Sequence, residues 1–221
     1  MYVSLLSHCR KKLNTPLVSC KGEPMYFRTD EEAEAAEALC MASRLSDGLD
    51  RDVRLWRWVI IALHNAAQGF MVLSLRHGNG LAALTKESAA AWLKAHENGG
   101  DYPPERLDHF PNLYAKIKGE EHGQIAGNKR FTPGATHDSS FKKLNDFRNE
   151  FIHFTPKGWS LEVDGLPEIC LDVISVIEFL SWQTENIMWH ELPFREQSQL
   201  CSFKLKEQML HLKRVYAVIG S

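Results

Sequence analysis

The sequence predicts an all-α protein, an up-and-down helical bundle of about four long helices plus short ones, with room for one short hairpin late in the chain. Three observations carry this prediction. Apolar residues recur at helical spacing over four long stretches, and glycine and proline breaks separate those stretches. One of the four is apolar on most of its circumference, as a helix at the centre of a bundle must be. No repeat or low-complexity tract points to another architecture.

Taken in order, residues 1–28 lack a clear period and contain Pro16, Gly22 and Pro24, so they read as an N-terminal extension that packs on the domain or on a partner. Thr29 with Glu32 fits a capping box, opening a helix that runs to about Ser46 and stops at Asp47-Gly48. A second helix spans about 50–76, where Val53, Trp56, Ile60, Leu63, Ala67 and Met71 repeat at helical spacing before Gly78 and Gly80 end it. Thr85 begins a shorter helix that breaks at residues 97–104. Pro111 suits the first turn of another, ending near Lys118.

Residues 119–136 hold four glycines, Pro133 and the pair Lys129-Arg130. A connection this long without periodicity is functional or disordered, and its place before the next helix suits a flap. That next helix starts near Asp138 or Ser139 and stops before Pro156. Trp159 to Val163 alternates enough for a short extended segment closed by an Asp164-Gly165 turn. Pro167 opens a long helix to about His190 that buries Ile169, Val173, Val176, Ile177 and Leu180, and a last helix covers about Glu196 to Ala217. The organisation is then an extension over 1–28, a bundle over 29–195, and a C-terminal helix within 196–221 packed on it.

Composition narrows the function classes. At 221 residues, 44% hydrophobic and 24% charged, the chain has the make-up of a globular domain. A net charge of −2 gives no global nucleic-acid signature, so any RNA contact needs a local site. Five scattered cysteines show neither zinc-site spacing nor a disulfide framework. The first residues, MYVSLLSHCRKK, place charge after a very short apolar run, the wrong order for a secretory signal. The longest apolar stretch, near Trp58 to Leu63, runs into His64, Asn65 and Gln68 and is too short to span a membrane. The expectation is a cytoplasmic protein with no membrane contact.

The chemistry concentrates in Arg148-Asn149-Glu150-Phe151-Ile152-His153. At roughly 100° per residue, Leu144, Phe147, Phe151 and Phe154 form one apolar stripe, with Phe141 and Ile152 at its margins. Asn149 and His153 stack at four-residue spacing nearly opposite that stripe. Arg148 lies nearer the apolar edge, where its stem packs while the guanidinium reaches out. Such a trio serves phosphate chemistry: a guanidinium fork holds phosphate oxygens, and an imidazole titrating near neutrality moves a proton. The plain alternative is a solvated helix end. His64-Asn65, on the apolar helix, reads as a hydrogen-bonded interior pair that can also support the trio from behind. Glu150-x-x-His153 matches half of a di-iron pattern, but no second Glu-x-x-His exists. Phosphate-loop glycines are also missing. No metal and no cofactor are expected.

The arginine, four residues, histidine pattern of Arg148 to His153, on a late helix of an all-helical chain, resembles the motif of the HEPN superfamily (higher eukaryotes and prokaryotes nucleotide-binding domains). Asn149 stands where ribonuclease members often carry a polar Asn or Asp. The continuation from Phe154 to Glu162 is similar to that of some uncharacterised bacterial members, and the likeness covers about residues 30 to 195. The resemblance implies a metal-independent endoribonuclease that uses the RNA 2′-hydroxyl, with Arg148, Asn149 and His153 as catalytic residues in a composite homodimer site. Lys129 and Arg130 are the candidate substrate-binding cations. It further implies a toxin or phage-defence setting with an antitoxin or nucleotidyltransferase partner. Thr155, however, stands where some HEPN toxins carry the tyrosine that such a nucleotidyltransferase modifies. The other reading the same likeness allows is a non-catalytic dimerisation or nucleic-acid- or protein-binding module, which the six tryptophans suit.

Overall fold

The computed structural model describes residues 26–76, 78–120, 122, 128–153 and 156–219. Among them are seven α-helices and no strand. They are α1 (Glu31–Ser46), α2 (Trp56–Leu75), α3 (Lys86–Asn98), α4 (Phe110–Lys118), α5 (His137–Ile152), α6 (Leu166–Glu178) and α7 (Leu192–Ile219). Most of the predicted N-terminal extension lies outside the described residues, as do Phe154, Thr155 and much of the 119–136 connection.

Side-chain pairings set the directions. Arg57 meets Phe151 and His64 meets Asn145, so α2 and α5 run antiparallel. Ser140 with Asp172 and His137 with Ser175 make α5 antiparallel to α6, while Ser202 with Glu178 and Lys213 with Glu168 do the same for α6 and α7. Glu37 pairs with Gln197 and Glu32 with His190, so α7 lies parallel to α1. The order is thus up, down, up, down, with α7 closing the ring beside α1. The C-terminus of α5 and the N-terminus of α2 share one end of the bundle.

The apolar helix α2 is central, as its all-round hydrophobicity predicts. Trp56, Ile60, Leu63, Phe70, Met71 and Leu75 are buried, and it packs on α1, α4, α5 and α6. Its window of greatest hydropathy is long and apolar enough to cross a membrane by composition, yet 67% of it is buried inside the chain. At Gly69 a side chain would have no room: an added Cβ would stand 2.8 Å from Ala35 Cβ on α1. Overpacking this crossing forces the helices apart, so Gly69→Val is expected to lower unfolding free energy by about 1–3 kcal/mol in denaturant titrations. Gly100→Ala, where nothing lies within 4 Å, is the neutral comparison. Equal stability of the two variants would refute the close-approach argument.

Three local expectations need correction. Asp30, not Thr29, caps α1, accepting a bond from Ala33 N at 2.9 Å, while Glu32 turns away to hold the backbone N–H groups of His190 and Glu191. The long helix expected to reach His190 stops early. It passes through a π turn at Phe179–Gln183, then Thr184 becomes extended and its hydroxyl donates to Phe179 O at 2.7 Å. The Asn186 amide is bonded to both backbone groups of Lys129, and Trp189 donates to Ser181 O, so the segment packs without being helical. No hairpin forms over Trp159 to Val163. Leu161 and Val163 instead lay their side chains on the core.

The cysteine reading also changes. Cys40 and Cys201 form a disulfide across a separation of 161 residues, joining α1 to α7. Spacing could not show it, because the two thiols meet only through the parallel packing of the first and last helices. Such cross-links belong to oxidising compartments, which runs against the cytoplasmic expectation. Cys170 is a buried free thiol, and burial pushes its pKa up to about 12.

Candidate active site

The site grows from the end of α5. Asn145, Asn149 and His153 follow one another at four-residue spacing and so climb one face. His153 stands just past the helix, its N–H still bonded to Asn149 O at 3.0 Å. The imidazole is exposed, one turn beyond the Asn149 side chain. Arg148 Nη1 donates to Asn149 Oδ1 at 3.0 Å. The amide carbonyl of Asn149 therefore orients the guanidinium. Arg148 Nε is buried with no hydrogen-bond partner among the described residues. The nearby carboxylate of Glu150 is paired with Lys157 at 2.5 Å, and no ion pair neutralises Arg148 among the described residues.

Behind the trio, His64 is only 2% exposed. Its ring stacks on Phe110 with centroids 4.0 Å apart, and its Nε2 donates to Asn145 Oδ1 at 3.3 Å. Burial pulls its pKa down to about 4; the Asn145 bond opposes this and the charge on Arg148 adds to it. His64 is thus an interior histidine, as expected; Asn145 takes its Nε2, and the side chain of the more exposed Asn65 also opposes the downward shift. The ladder of Asn145, Asn149 and His153 is the signal that could have singled Asn145 out.

A second cation joins from α2. Arg57 Nη2 donates to Phe151 O at 3.0 Å, satisfying a carbonyl that the last turn of α5 leaves without an intrahelical donor. Its guanidinium lies 5.0 Å from the centroid of Trp58 and 6.0 Å from that of Phe151, which in turn meets Trp159 at 5.1 Å. Trp58 is 50% exposed, and Ile152 and Trp159 are open as well. An arginine beside a tryptophan reads as an ordinary surface pair, so sequence spacing gave no sign of this one.

The candidate cations Lys129 and Arg130 sit elsewhere. Lys129 is clamped through its backbone to Asn186 beyond α6, and Phe131 N bonds to Ile117 O. That is the end where α5 begins. With α5 at 16 residues, the His153 end lies roughly 24 Å away. The described part of the 119–136 connection is pinned there and does not cover the motif. Arg130 approaches Glu120 at 3.9 Å.

The fold and this cluster define a helical bundle with an arginine–asparagine pair, an exposed histidine and an aromatic surround at one end. Compared with known proteins, the chain matches no family model, no curated sequence and no solved structure at a significant level.

Proposed function

We propose that this chain is an endoribonuclease of the HEPN kind, working without a metal in a composite site between two copies of itself. The observation that carries the reading is a guanidinium held by Asn149 and, among the described residues, not neutralised by a carboxylate, with an exposed imidazole one turn further along the same helix end. RNA supplies the nucleophile. One histidine takes the 2′-hydroxyl proton, the 2′-oxygen attacks the adjacent phosphorus, and the bond to the 5′-oxygen breaks as a second histidine protonates it. The products are a 2′,3′-cyclic phosphate and a 5′-hydroxyl. Arg148 stabilises charge gathering on the phosphate oxygens. Each copy contributes one His153, which is why two copies are needed.

The exposed Trp58, Ile152 and Trp159 give a second copy or unstacked bases an apolar surface next to the motif. Lys129 and Arg130 then contact only an RNA long enough to run along the bundle. A cytoplasmic toxin or phage-defence effector with an antitoxin belongs to the same reading, and there Cys40 and Cys201 would be thiols. The same aromatic surface favours the second reading, a non-catalytic dimerisation or nucleic-acid-binding module.

The test is cleavage of varied RNAs in EDTA by the wild type and by His153→Ala, with each protein sized in solution. Chelator-resistant cleavage that vanishes in a still-dimeric variant is the expected result. Intact RNA throughout, with a variant that loses its dimer, would replace the enzyme with the interaction module.

A further inference from the structure

The outer face of α7 carries a pattern that nothing among the described residues uses. The helix buries Ser198, Ser202, Leu205, Met209 and Leu212 against α1 and α6. On the opposite side, Leu200, Phe203 and Leu210 are exposed, Phe203 by 62%. Glu196, Leu200, Phe203, Glu207, Leu210 and Arg214 follow at spacings of three and four, which sets them on one stripe, with Lys204 beside it. Among the described residues, Glu196, Lys204, Glu207 and Arg214 make no ion pair, whereas Lys206, His211 and Lys213, elsewhere on the helix, each do.

From this face we infer that α7 pairs antiparallel with α7 of a second copy of this chain, about a two-fold axis level with Leu205. A two-fold interface must be self-complementary, each residue meeting its counterpart reciprocally. In this register Leu200 faces the partner's Leu210, and each Phe203 packs close to the axis on the stem of the partner's Glu207. Glu196 faces the partner's Arg214, and Glu207, level with the partner's Phe203, has the partner's Lys204 one residue along. The charges on the stripe thus face or adjoin their opposites. Leu205 is also near the midpoint of a 28-residue helix, so the two helices overlap over almost their full length. That length, roughly 42 Å, gives the narrow seam of a modest, concentration-dependent dimer. The surface lies across the bundle from the α2–α5 side that carries Arg148 and His153, so it stands independently of the ribonuclease reading.

Sedimentation of the full chain over a range of concentrations tests it. The expected result is self-association whose dissociation constant rises at least about tenfold in Phe203→Glu, with helical content unchanged because the ring is outside the core. Arg214→Glu alone and Glu196→Lys alone each set like charges across the seam and weaken association. A mixture of the two restores it, because in the mixed pair both contacts join opposite charges. A wild type that stays monomeric overturns the proposal. So does a dimer indifferent to Phe203→Glu, or single variants that the mixture fails to rescue. Disruption by His153→Ala with α7 variants unaffected would place self-association at the motif instead.

Discussion

Stability is expected to fall by several kcal/mol as the pH drops from about 7 to about 4, because two buried histidines must stay neutral for the fold to hold. His64 and His122 each have a pKa pulled down from 6.5 to about 4, and for both burial is the largest cause. The hydrogen bonding agrees for His122: Ser74 Oγ and the Asn186 amide nitrogen both lie 3.2 Å from its Nε2, and the amide can only donate, so this nitrogen must accept. Above pH 6.5 neither state of the protein protonates these groups. As the pH falls below that, the unfolded chain takes up protons that the folded chain refuses, so stability is lost. Below about 4 both states are protonated and these histidines cost nothing further. The gap corresponds to at most roughly 3 kcal/mol per histidine.

The window is separable from that of the carboxylates. Asp138 is held below its usual range by Lys118, burial opposing. Burial raises Asp108, but its bonds from Lys116, Asn112 and the His109 N–H outweigh that. Their contribution is present above 3.8 and lost only as the pH falls further. Denaturant titrations from pH 7.5 down to pH 4.5 check the sign. A flat profile in the wild type would rule the account out, and His64→Phe, which keeps the stack on Phe110, should remove about half of the slope.

How far the sequence alone could see depends on the range of the interaction. The centrality of α2 was readable because burial leaves its mark on every turn of one segment, from Trp56 to Leu75. The early end of α6 was hidden, because Val176, Ile177 and Leu180 continue the helical period up to the break. What ends it is Thr184 bonding back to Phe179 and Asn186 taken by Lys129, the latter 57 residues away in the chain. Cys40–Cys201 and Glu32 with His190 were out of reach for the same reason. At the motif, the exposed His153 followed from counting angles along one helix, whereas Asn149 on the same ladder is half-buried. The Arg148–Asn149 bond did not, since neighbours in sequence point about 100° apart on a helix and only a long side chain folding back joins them. Arg57 needed the antiparallel fit of α2 on α5 to be seen at all.

That bond makes the two residues separable by experiment. Under the ribonuclease reading, Arg148→Ala is expected to lower RNA cleavage by about a hundredfold to a thousandfold, the usual cost of removing one donor aimed at charge that develops in the transition state. Arg148→Lys should recover only a small part, because an ammonium cannot reproduce the planar two-pronged contact with phosphate. Asn149→Ala leaves the guanidinium charge in place but removes the carbonyl that fixes it. The loss should be smaller, about tenfold, and should appear in kcat with KM little changed, since positioning matters most when charge peaks. Arg148 Nε is buried without a partner among the described residues, so Arg148→Ala removes an uncompensated polar group and should not lower stability. Thermal unfolding beside single-turnover cleavage on the same preparations decides the matter. If Arg148→Ala cleaves as the wild type does but melts much lower, the guanidinium is a structural element of the α2–α5 seam. The catalytic assignment would then pass from Arg148 to Arg57, a second guanidinium against the last turn of α5.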